Sequence, residues 1–228
     1  YKRQVLVGVD TTIALAALDQ ARPTLANSDL ASKSRERSRR GTEEEILQLV
    51  SYFRSNARQS IPMDRIVLFA VATAMRLGEI VRLEWRHLDR PNRTILIQDR
   101  KHPRAKEGND QVIPLVAGPF ILGEEVIDPL ELLESPSVSV PHIGGCIFPY
   151  KSDSVSAAFT RACQRIGIAD LHFHDLRRTG ITQMIEAGWS VPEVSRVSGH
   201  RDWNVLRRYE NQAAEEIVAR RSIKERQG

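Results

Sequence analysis

The feature that most restricts the fold of this chain is a nearly unbroken apolar run that follows Asp64. Residues 66–72 read IVLFAVA, and the apolar character continues to Met75. A helix that is hydrophobic on every face is stable only when other protein surrounds it. The run is shorter than the roughly 20 apolar residues that a membrane-spanning helix needs. It therefore predicts a buried central helix in a globular domain, and we expect no membrane partner.

Shorter segments around this helix predict a mostly α domain with a small antiparallel β-sheet, an α+β fold. Thr42 and Glu45 form a capping-box pattern, which marks the start of a helix. Residues 94–98 and 111–115 are short and apolar, which predicts two strands joined by a polar, positively charged connection. Further helices are predicted at residues 9–20, 79–85, 154–166, 175–187, 191–197, 203–209 and 213–225.

A change in composition predicts a domain boundary near residue 41. Pro23 ends the first helical pattern, and residues 24–41 are rich in Ser and Arg without a clear apolar period. Residues 116–150 contain many Pro and Gly and also lack a sustained period, so they predict no regular element. The chain does not begin with Met, and we expect it to be a piece of a longer protein.

The charge of the chain is concentrated near its N-terminus. The 33 Lys and Arg residues exceed the 29 Asp and Glu residues by four, and residues 33–40 alone contain five basic side chains and one acidic side chain. Such a segment can contact a polyanion, although a solvated linker has the same composition. The two cysteines, Cys146 and Cys163, are too few for a disulfide scaffold or a zinc cluster, and we expect a cytoplasmic location.

Six polar residues stand at positions where chemistry can be placed. One follows the buried helix, one lies in the connection between the two strands, and two lie three residues apart at a helix start, where they share a face. The last two are separated by nine residues near the C-terminus. In chain order they are Arg76, Lys106, His174, Arg177, His200 and Tyr209.

Each of these residues also has an ordinary structural explanation. Arg76 can pair with Glu79, three residues further along. A lysine in a hairpin connection is usually solvated, and Tyr209 falls at a helical spacing that is typical of core residues. His172 and His174 alternate along the chain, but two histidines without a third ligand nearby are weak evidence for a metal site.

In their joint order and spacing, however, the six residues resemble the tyrosine recombinases, the phage integrase family. The resemblance covers about residues 42–215. Ser198 stands where Leu is more common before Gly-His, and the insertion at 116–146 is long. Lys101 is an alternative to Lys106, but the spacing to Pro114 favours Lys106. The matching segments are MRLGEI at 75–80, KEGNDQVIP at 106–114, HDLRRT at 174–179 and SGH at 198–200.

The resemblance implies the tyrosine-recombinase catalytic fold for residues 42–228. Residues 1–24 would then be the end of an N-terminal helical core-binding domain, and residues 25–41 a basic interdomain linker. It also implies double-stranded DNA at specific recombination sites as the partner, with self-assembly as a tetramer on DNA through the tail at 213–225. Accessory DNA-bending proteins would be further partners. The linker residues expected along the DNA backbone are Lys33, Arg35, Arg37 and Arg40.

The resemblance further implies a role for each site residue. Tyr209 is the nucleophile that forms a 3′-phosphotyrosyl intermediate, since a phosphotyrosine ester conserves the energy of the bond for rejoining. Arg76 and Arg177 clamp the scissile phosphate, for which guanidinium groups are suited. Three cationic groups replace the charge of a metal, so we expect no metal, no ATP and no other cofactor. The remaining assignments are Lys106 as the general acid, His174 as the base or a hydrogen-bonding assistant, His200 as a phosphate ligand and Glu79 as the group that orients Arg76.

Other functions compete with this interpretation. A type IB topoisomerase-like enzyme would use the same chemistry to relax supercoiled DNA. A non-catalytic DNA-binding module would not need a tyrosine at position 209, and a His-ligated metal nuclease would be sensitive to chelators. We therefore expect a site-specific DNA recombinase or integrase of a mobile element, with the topoisomerase-like enzyme as the alternative.

Overall fold

The computed structural model describes residues 38–56, 58–100, 108–118, 120–134, 145–200 and 206. The chain divides into two compact units, Tyr1–Ser38 and Arg39–Gly228, and nearly all of the described residues belong to the second. None of the helices in these ranges is long and apolar enough to cross a membrane. The α-helices of the described ranges are α1 (Glu43–Ser55), α2 (Met63–Thr73), α3 (Leu77–Ile80), α4 (Pro129–Glu134), α5 (Ser152–Ile166), α6 (Phe173–Glu186) and α7 (Val191–Ser198).

Helix α2 is the central helix of the domain, and its residues are buried almost without exception. One of the buried residues is charged: Arg65, only 3% exposed, donates from Nε to the carbonyl of Leu132 at 2.7 Å and from Nη2 to that of Leu133 at 2.8 Å. Arg65 thereby binds carbonyl groups near the end of α4, which a helix terminus leaves without partners of its own. The predicted buried helix is confirmed.

The described part of the domain also contains two small antiparallel sheets. The first contains β1 (Leu88–Asp89), β2 (Thr94–Ile97) and β3 (Gln111–Pro114) in that spatial order. Ile95 pairs with Ile113 and both are fully buried, so this face of the sheet belongs to the core. The second sheet is a hairpin of β4 (Ile121–Leu122) and β5 (Glu125–Val126).

Several local predictions are confirmed. Thr42 caps α1: its hydroxyl accepts from the Glu45 amide at 3.3 Å, and the Glu45 carboxylate accepts from the Thr42 amide at 2.9 Å. Strands β2 and β3 begin and end within two residues of the predicted bounds, and so do helices α5, α6 and α7. The mostly helical α+β class is correct.

The prediction of one helix over residues 79–85 is wrong. Helix α3 ends at Ile80, and a separate 3₁₀ turn spans Trp85–His87. Between them, the carbonyl of Leu83 accepts a hydrogen bond from the distant amide of Ile147 at 2.7 Å and is therefore not part of a helix. The stretch 116–150 also contains α4 and the β4–β5 hairpin, which the sequence did not predict. The helices predicted at 9–20 and 213–225, and that at 203–209 apart from Leu206, lie outside the described residues.

Candidate active site

Four of the six predicted site residues come together at one place in the domain. Arg76 precedes α3, His174 and Arg177 lie near the start of α6, and His200 follows α7. Nη2 of Arg177 lies within 3.3 Å of both ring nitrogens of His200, and the charges of Arg76 and Arg177 act on both imidazoles. The two predicted site residues that lie outside the described ranges are Lys106 and Tyr209.

Arg177 is held from two sides. Arg177 is only 3% exposed, and its Nη1 donates to the carbonyl of Ala74 at 2.6 Å. Ala74 ends α2 in the left-handed conformation, with φ of 49°. Nη2 lies 3.2 Å from Nε2 and 3.3 Å from Nδ1 of His200. The guanidinium is therefore fixed between the end of the central helix and the residue that follows α7.

A close contact between α2 and α6 puts Arg177 in this position. A Cβ atom at Gly180 would lie 2.1 Å from the carbonyl oxygen of Val71, so only glycine permits this separation of the two helices. Thr179, the neighbour of Gly180, accepts from the amide of Gly41 at 2.9 Å. The helix that carries His174 and Arg177 is thus packed against the central helix and is bonded to the N-terminal end of its unit.

Arg76 is hydrogen-bonded to Glu79, the residue that the sequence analysis paired with it. The Arg76 amide donates to Oε2 of Glu79 at 3.1 Å, and Nη1 donates to Oε1 at 2.7 Å. The Arg76 side chain is 30% exposed, whereas that of Glu79 is 2% exposed. Burial alone would raise the pKa of the Glu79 carboxyl, but Arg100 and Arg76 outweigh it and lower that pKa below its ordinary value. Glu79 is therefore ionised at neutral pH.

A residue that the sequence analysis did not single out, Arg100, shares the Glu79 carboxylate. It is 2% exposed, and its Nε and Nη2 each lie 3.2 Å from an oxygen of Glu79. Burial lowers the pKa of Arg100, and the charge of Glu79 opposes that shift. The sequence offered no signal for it, because Arg100 is one of several basic residues in the predicted polar connection.

His200 is held as a neutral imidazole. Burial, together with the charges of the neighbouring Arg177, Arg76 and Arg100, lowers its pKa to about 3. The ring nitrogen Nδ1 lies 2.8 Å from Oγ of Ser198. Ser198, noted above as a departure from the usual Leu, is fully buried and places a hydroxyl where it can orient this ring.

His174 lies on the exposed side of the same helix start. Partial desolvation lowers its pKa, and the charges of Arg177 and Arg178 lower it further. At neutral pH the imidazole is therefore unprotonated and can accept a proton.

The other predicted residues have simpler surroundings. Arg40 forms an ion pair with Glu186 at 3.2 Å in which both side chains are more than half exposed. Cys163 is buried, and burial raises the pKa of its thiol to about 11, so it is not a reactive thiolate. The remaining linker residues predicted to contact DNA lie outside the described ranges: Lys33, Arg35 and Arg37.

The arrangement is suited to binding an anion at a partly open surface. Two guanidiniums approach it, one buried and one partly exposed, and two neutral imidazoles lie beside them. Arginine forks match the oxygens of a phosphoryl group, and neutral imidazoles can donate a hydrogen bond or accept a proton. The geometry therefore provides charge stabilisation and acid–base groups at one point.

The chain is similar in sequence to proteins of one family. The sequence model described as "Phage integrase family" matches residues 39–216. The "Shufflon-specific DNA recombinase" of Escherichia coli is 32% identical over 192 residues, which cover 84% of this chain and 44% of that protein. The chain thus spans less than half the length of this relative.

Solved structures show the same fold. A lambda integrase dimer bound to a COC′ core site superposes with a TM-score of 0.64 and 19% identity, over 86% of this chain and 56% of that one. A lambda integrase tetramer bound to a Holliday junction superposes with a TM-score of 0.60 and 20% identity, over 84% and 58% of the two chains.

Proposed function

We propose a function on one premise: the chain belongs to the phage integrase family. The protein is a site-specific DNA recombinase that cuts and rejoins DNA strands through a covalent bond to Tyr209. One observation carries the proposal, namely that Arg76, His174, Arg177 and His200 converge from three separate parts of the chain. Binding DNA requires no such convergence of two arginines and two neutral histidines.

In the cleavage step, the phenolic oxygen of Tyr209 attacks the phosphorus of the scissile phosphodiester. A bond forms between that oxygen and phosphorus, and the bond from phosphorus to the 5′-oxygen breaks. The tyrosine proton passes to His174, whose lowered pKa leaves it unprotonated at neutral pH. Lys106 gives a proton to the departing 5′-oxygen. The reverse sequence, with a 5′-hydroxyl of another strand, rejoins the DNA without ATP or a metal.

Arg76 and Arg177 stabilise the negative charge that develops on the non-bridging oxygens. A preorganised donor at such a position contributes about 3–4 kcal/mol to transition-state stabilisation. Arg177 is preorganised by its bond to the Ala74 carbonyl, and Arg76 by its bonds to Glu79. His200 donates a hydrogen bond to a phosphate oxygen from its neutral ring.

The partners follow from the same premise. The proteins with this fold include an integrase dimer on a core site and a tetramer on a Holliday junction. By analogy, this protein binds double-stranded DNA at specific sites and assembles as a tetramer there, with the tail 213–225 docked on a neighbouring protomer. The linker at 25–41, including Arg40, follows the DNA backbone. We include accessory DNA-bending proteins and a cytoplasmic location in the proposal.

The topoisomerase-like alternative is less favoured, because the relative is a recombinase and the solved structures are integrases.

The test is capture of the covalent intermediate. The protein is incubated with a pool of nicked DNA duplexes that carry a randomised segment, and DNA that stays attached after denaturation with detergent is sequenced. We expect adducts that converge on one sequence motif and that are abolished by Tyr209→Phe. Adducts without sequence preference, together with relaxation of a supercoiled plasmid, would support the topoisomerase-like alternative. No adduct with the unmodified protein would contradict the proposal.

The same assay identifies the general acid. On DNA that carries sulfur at the bridging 5′ position, the leaving group is a thiolate, which needs no protonation because a thiol pKa is far below that of an alcohol. Lys106→Ala is expected to be severely impaired on normal DNA and largely rescued on the sulfur substrate, whereas Arg76→Ala is not rescued. Rescue of Lys101→Ala instead would assign the acid to Lys101.

A further inference from the structure

Arg100 joins three parts of the chain, namely α3, β3 and the end of α7. It follows β2, and its side chain runs between α3 and the end of α7. One end of the guanidinium bonds to Glu79 of α3, as described above. Nη1 donates to Oε1 of Gln111, on β3, at 2.9 Å. Nη2 also donates to the carbonyls of Val197 at 3.2 Å and Ser198 at 2.7 Å.

The end of α7 is shaped to receive this side chain. Gly199 has φ of 71°, and a Cβ atom there would lie 2.4 Å from Cζ of Arg100. The guanidinium therefore occupies the space that any other residue at position 199 would need. The Gly-His pair, which sequence analysis had treated as a motif of its own, is packed against a residue about 100 positions earlier in the chain.

Both sides of this bridge lead directly to a site residue. On the α3 side, the two carboxylate oxygens of Glu79 that accept hydrogen bonds from Arg76 also accept hydrogen bonds from Arg100. On the α7 side, Arg100 binds the carbonyl of Ser198, whose hydroxyl contacts the ring of His200. A displacement of Arg100 would therefore move Arg76 and His200 relative to each other.

A stabilising role does not account for this arrangement. Removing two charged groups from water is so unfavourable that buried ion pairs are often no more stable than an apolar replacement of similar size. The guanidinium does, however, make bonds in fixed directions to a carboxylate, an amide and two carbonyls, which an apolar side chain cannot do.

We propose that Arg100 is a positioning residue, which fixes Arg76 and His200 in the mutual orientation that phosphate cleavage requires without touching DNA itself. This inference rests on the proposed recombinase function. Because Arg100 is buried, its loss should change the rate of the chemical step and leave DNA affinity unaltered.

Arg100→Met tests this, since Met has a similar length and no charge. On the DNA site recovered from the randomised pool, we expect the single-turnover rate of adduct formation to fall about a hundredfold, as small misplacements of catalytic groups can cause. The dissociation constant for the same DNA should stay within about threefold, because no contact with DNA is lost. Arg100→Lys keeps the charge but not the planar fork, and it should recover only part of the rate.

Arg65→Met is the matched control. Arg65 is equally buried and also donates to two backbone carbonyls, but its partners are Leu132 and Leu133 near the end of α4. It should lower the melting temperature and leave the adduct rate per folded molecule unchanged. A rate within threefold of the unmodified protein for Arg100→Met would overturn the inference. So would a loss that only follows the melting temperature, as in the control.

A measurement without DNA separates this inference from the proposed function. The pKa of the His200 imidazole is followed by NMR in the free protein, where Arg100 is among the charges that lower it. In Arg100→Met that pKa should rise, and in Arg65→Met it should not. If the unmodified protein forms no adduct, the recombinase function fails, while the NMR result still decides whether Arg100 controls the setting of His200. An unchanged His200 pKa in Arg100→Met would refute the positioning role.

Discussion

The active site is assembled from two contacts that are held by different forces. In the first, which we call the packed junction, Gly180 of α6 lies against the carbonyl of Val71 in α2, and Arg177 binds the end of that helix. In the second, which we call the charged junction, the buried carboxylate of Glu79 lies between Arg76 and Arg100. Each junction supplies one of the two arginines proposed to clamp phosphate.

The difference indicates how each arginine is kept in place. The packed junction depends on the absence of a side chain, so its geometry is set by contact distances and is independent of charge. The charged junction depends on ionised groups that have lost their hydration, so its geometry holds only while every partner is present. A change of volume should therefore disrupt the first junction, and a change of charge at constant volume should disrupt the second.

Glu79→Gln should have the largest effect on stability. The substitution keeps the shape of the side chain but removes the charge that two arginines share, and the amide of Gln would place a donor against donors. We expect the free energy of unfolding to fall by about 3 kcal/mol, which is typical when one partner of a buried ion pair is lost. Denaturant unfolding measures this value.

Glu186→Gln is the control for the loss of charge alone. Its partner Arg40 forms an ion pair in which both side chains are more than half exposed. Such pairs contribute little, and the change in unfolding free energy should stay below about 0.5 kcal/mol. If Glu79→Gln changed stability as little as this control, the charged junction would be held by packing after all.

Gly180→Ala should be the next most severe change, and it addresses the packed junction. The added methyl group would lie 2.1 Å from a backbone oxygen, so α6 must move away from α2. Overpacking of this kind destabilises a protein by about 1–3 kcal/mol, and adduct formation should fall because Arg177 moves with its helix.

Gly78→Ala provides the comparison for this substitution. It also lies in a helix, but a Cβ atom there meets no heavy atom within 4 Å. Its stability should be unchanged or raised by up to about 1 kcal/mol, because alanine favours helix more than glycine does. If Gly180→Ala were no more destabilising than Gly78→Ala, helix α6 would tolerate displacement from α2.

The helices of the packed junction and the Arg76–Glu79 pair of the charged junction were predictable from the sequence, but the part that Arg100 plays in the charged junction was not. The apolar run at 66–72 and the start of α6 are local signals, and the spacing of His174 and Arg177 places them together on one helix. Arg76 and Glu79 are also neighbours along the chain. Their pairing could therefore be expected from local spacing, whereas the convergence of the four site residues was expected only from the resemblance to the tyrosine recombinases.

The position of Arg100 could not be predicted, because its partners lie far away in the sequence. Nothing in a basic, polar connection marks Arg100 as an arginine that turns inward to reach Ser198, 98 positions later. The same reason explains the error at 79–85, where pairing of Leu83 with Ile147 interrupts a helix that local propensity favours. The strands β4 and β5 are two residues each, too short for any periodicity to reveal them.

A smaller, pH-dependent effect follows from the cations that surround His200. Its pKa is about 3 in the folded protein and near the ordinary 6.5 when unfolded, so below pH 6.5 the unfolded state binds a proton that the native state does not. The free energy of unfolding should therefore fall as the pH is lowered from 6.5, by up to about 1.4 kcal/mol per pH unit for this one proton.

Denaturant unfolding between pH 7 and pH 5 tests this prediction, because most carboxylates remain ionised there. His200→Gln should flatten the dependence, and the slope that remains should come from His174, whose lowered pKa acts in the same direction. If His200→Gln left the slope unchanged, the imidazole would be protonated in the native state and the cations of both junctions would lie farther from it.

The smallest expected effect concerns Ser198, which is on the charged junction but contacts His200 directly. A neutral imidazole has one N–H and one lone pair, and Arg177 can only donate. If the proton is on Nε2, where it can be donated to phosphate, Nδ1 is left to accept from the Ser198 hydroxyl at 2.8 Å and from Arg177 at 3.3 Å. Ser198→Ala removes a donor that favours this tautomer. We expect adduct formation to slow by about five- to tenfold, equivalent to one hydrogen bond of about 1 kcal/mol, and nitrogen NMR to show a mixture of tautomers.

Ser195→Ala is the control, because its hydroxyl donates to the backbone carbonyl of His200 and does not contact the ring. A single, unchanged tautomer in Ser198→Ala would mean that Arg177 alone orients the ring, and His200 would then belong to the packed junction.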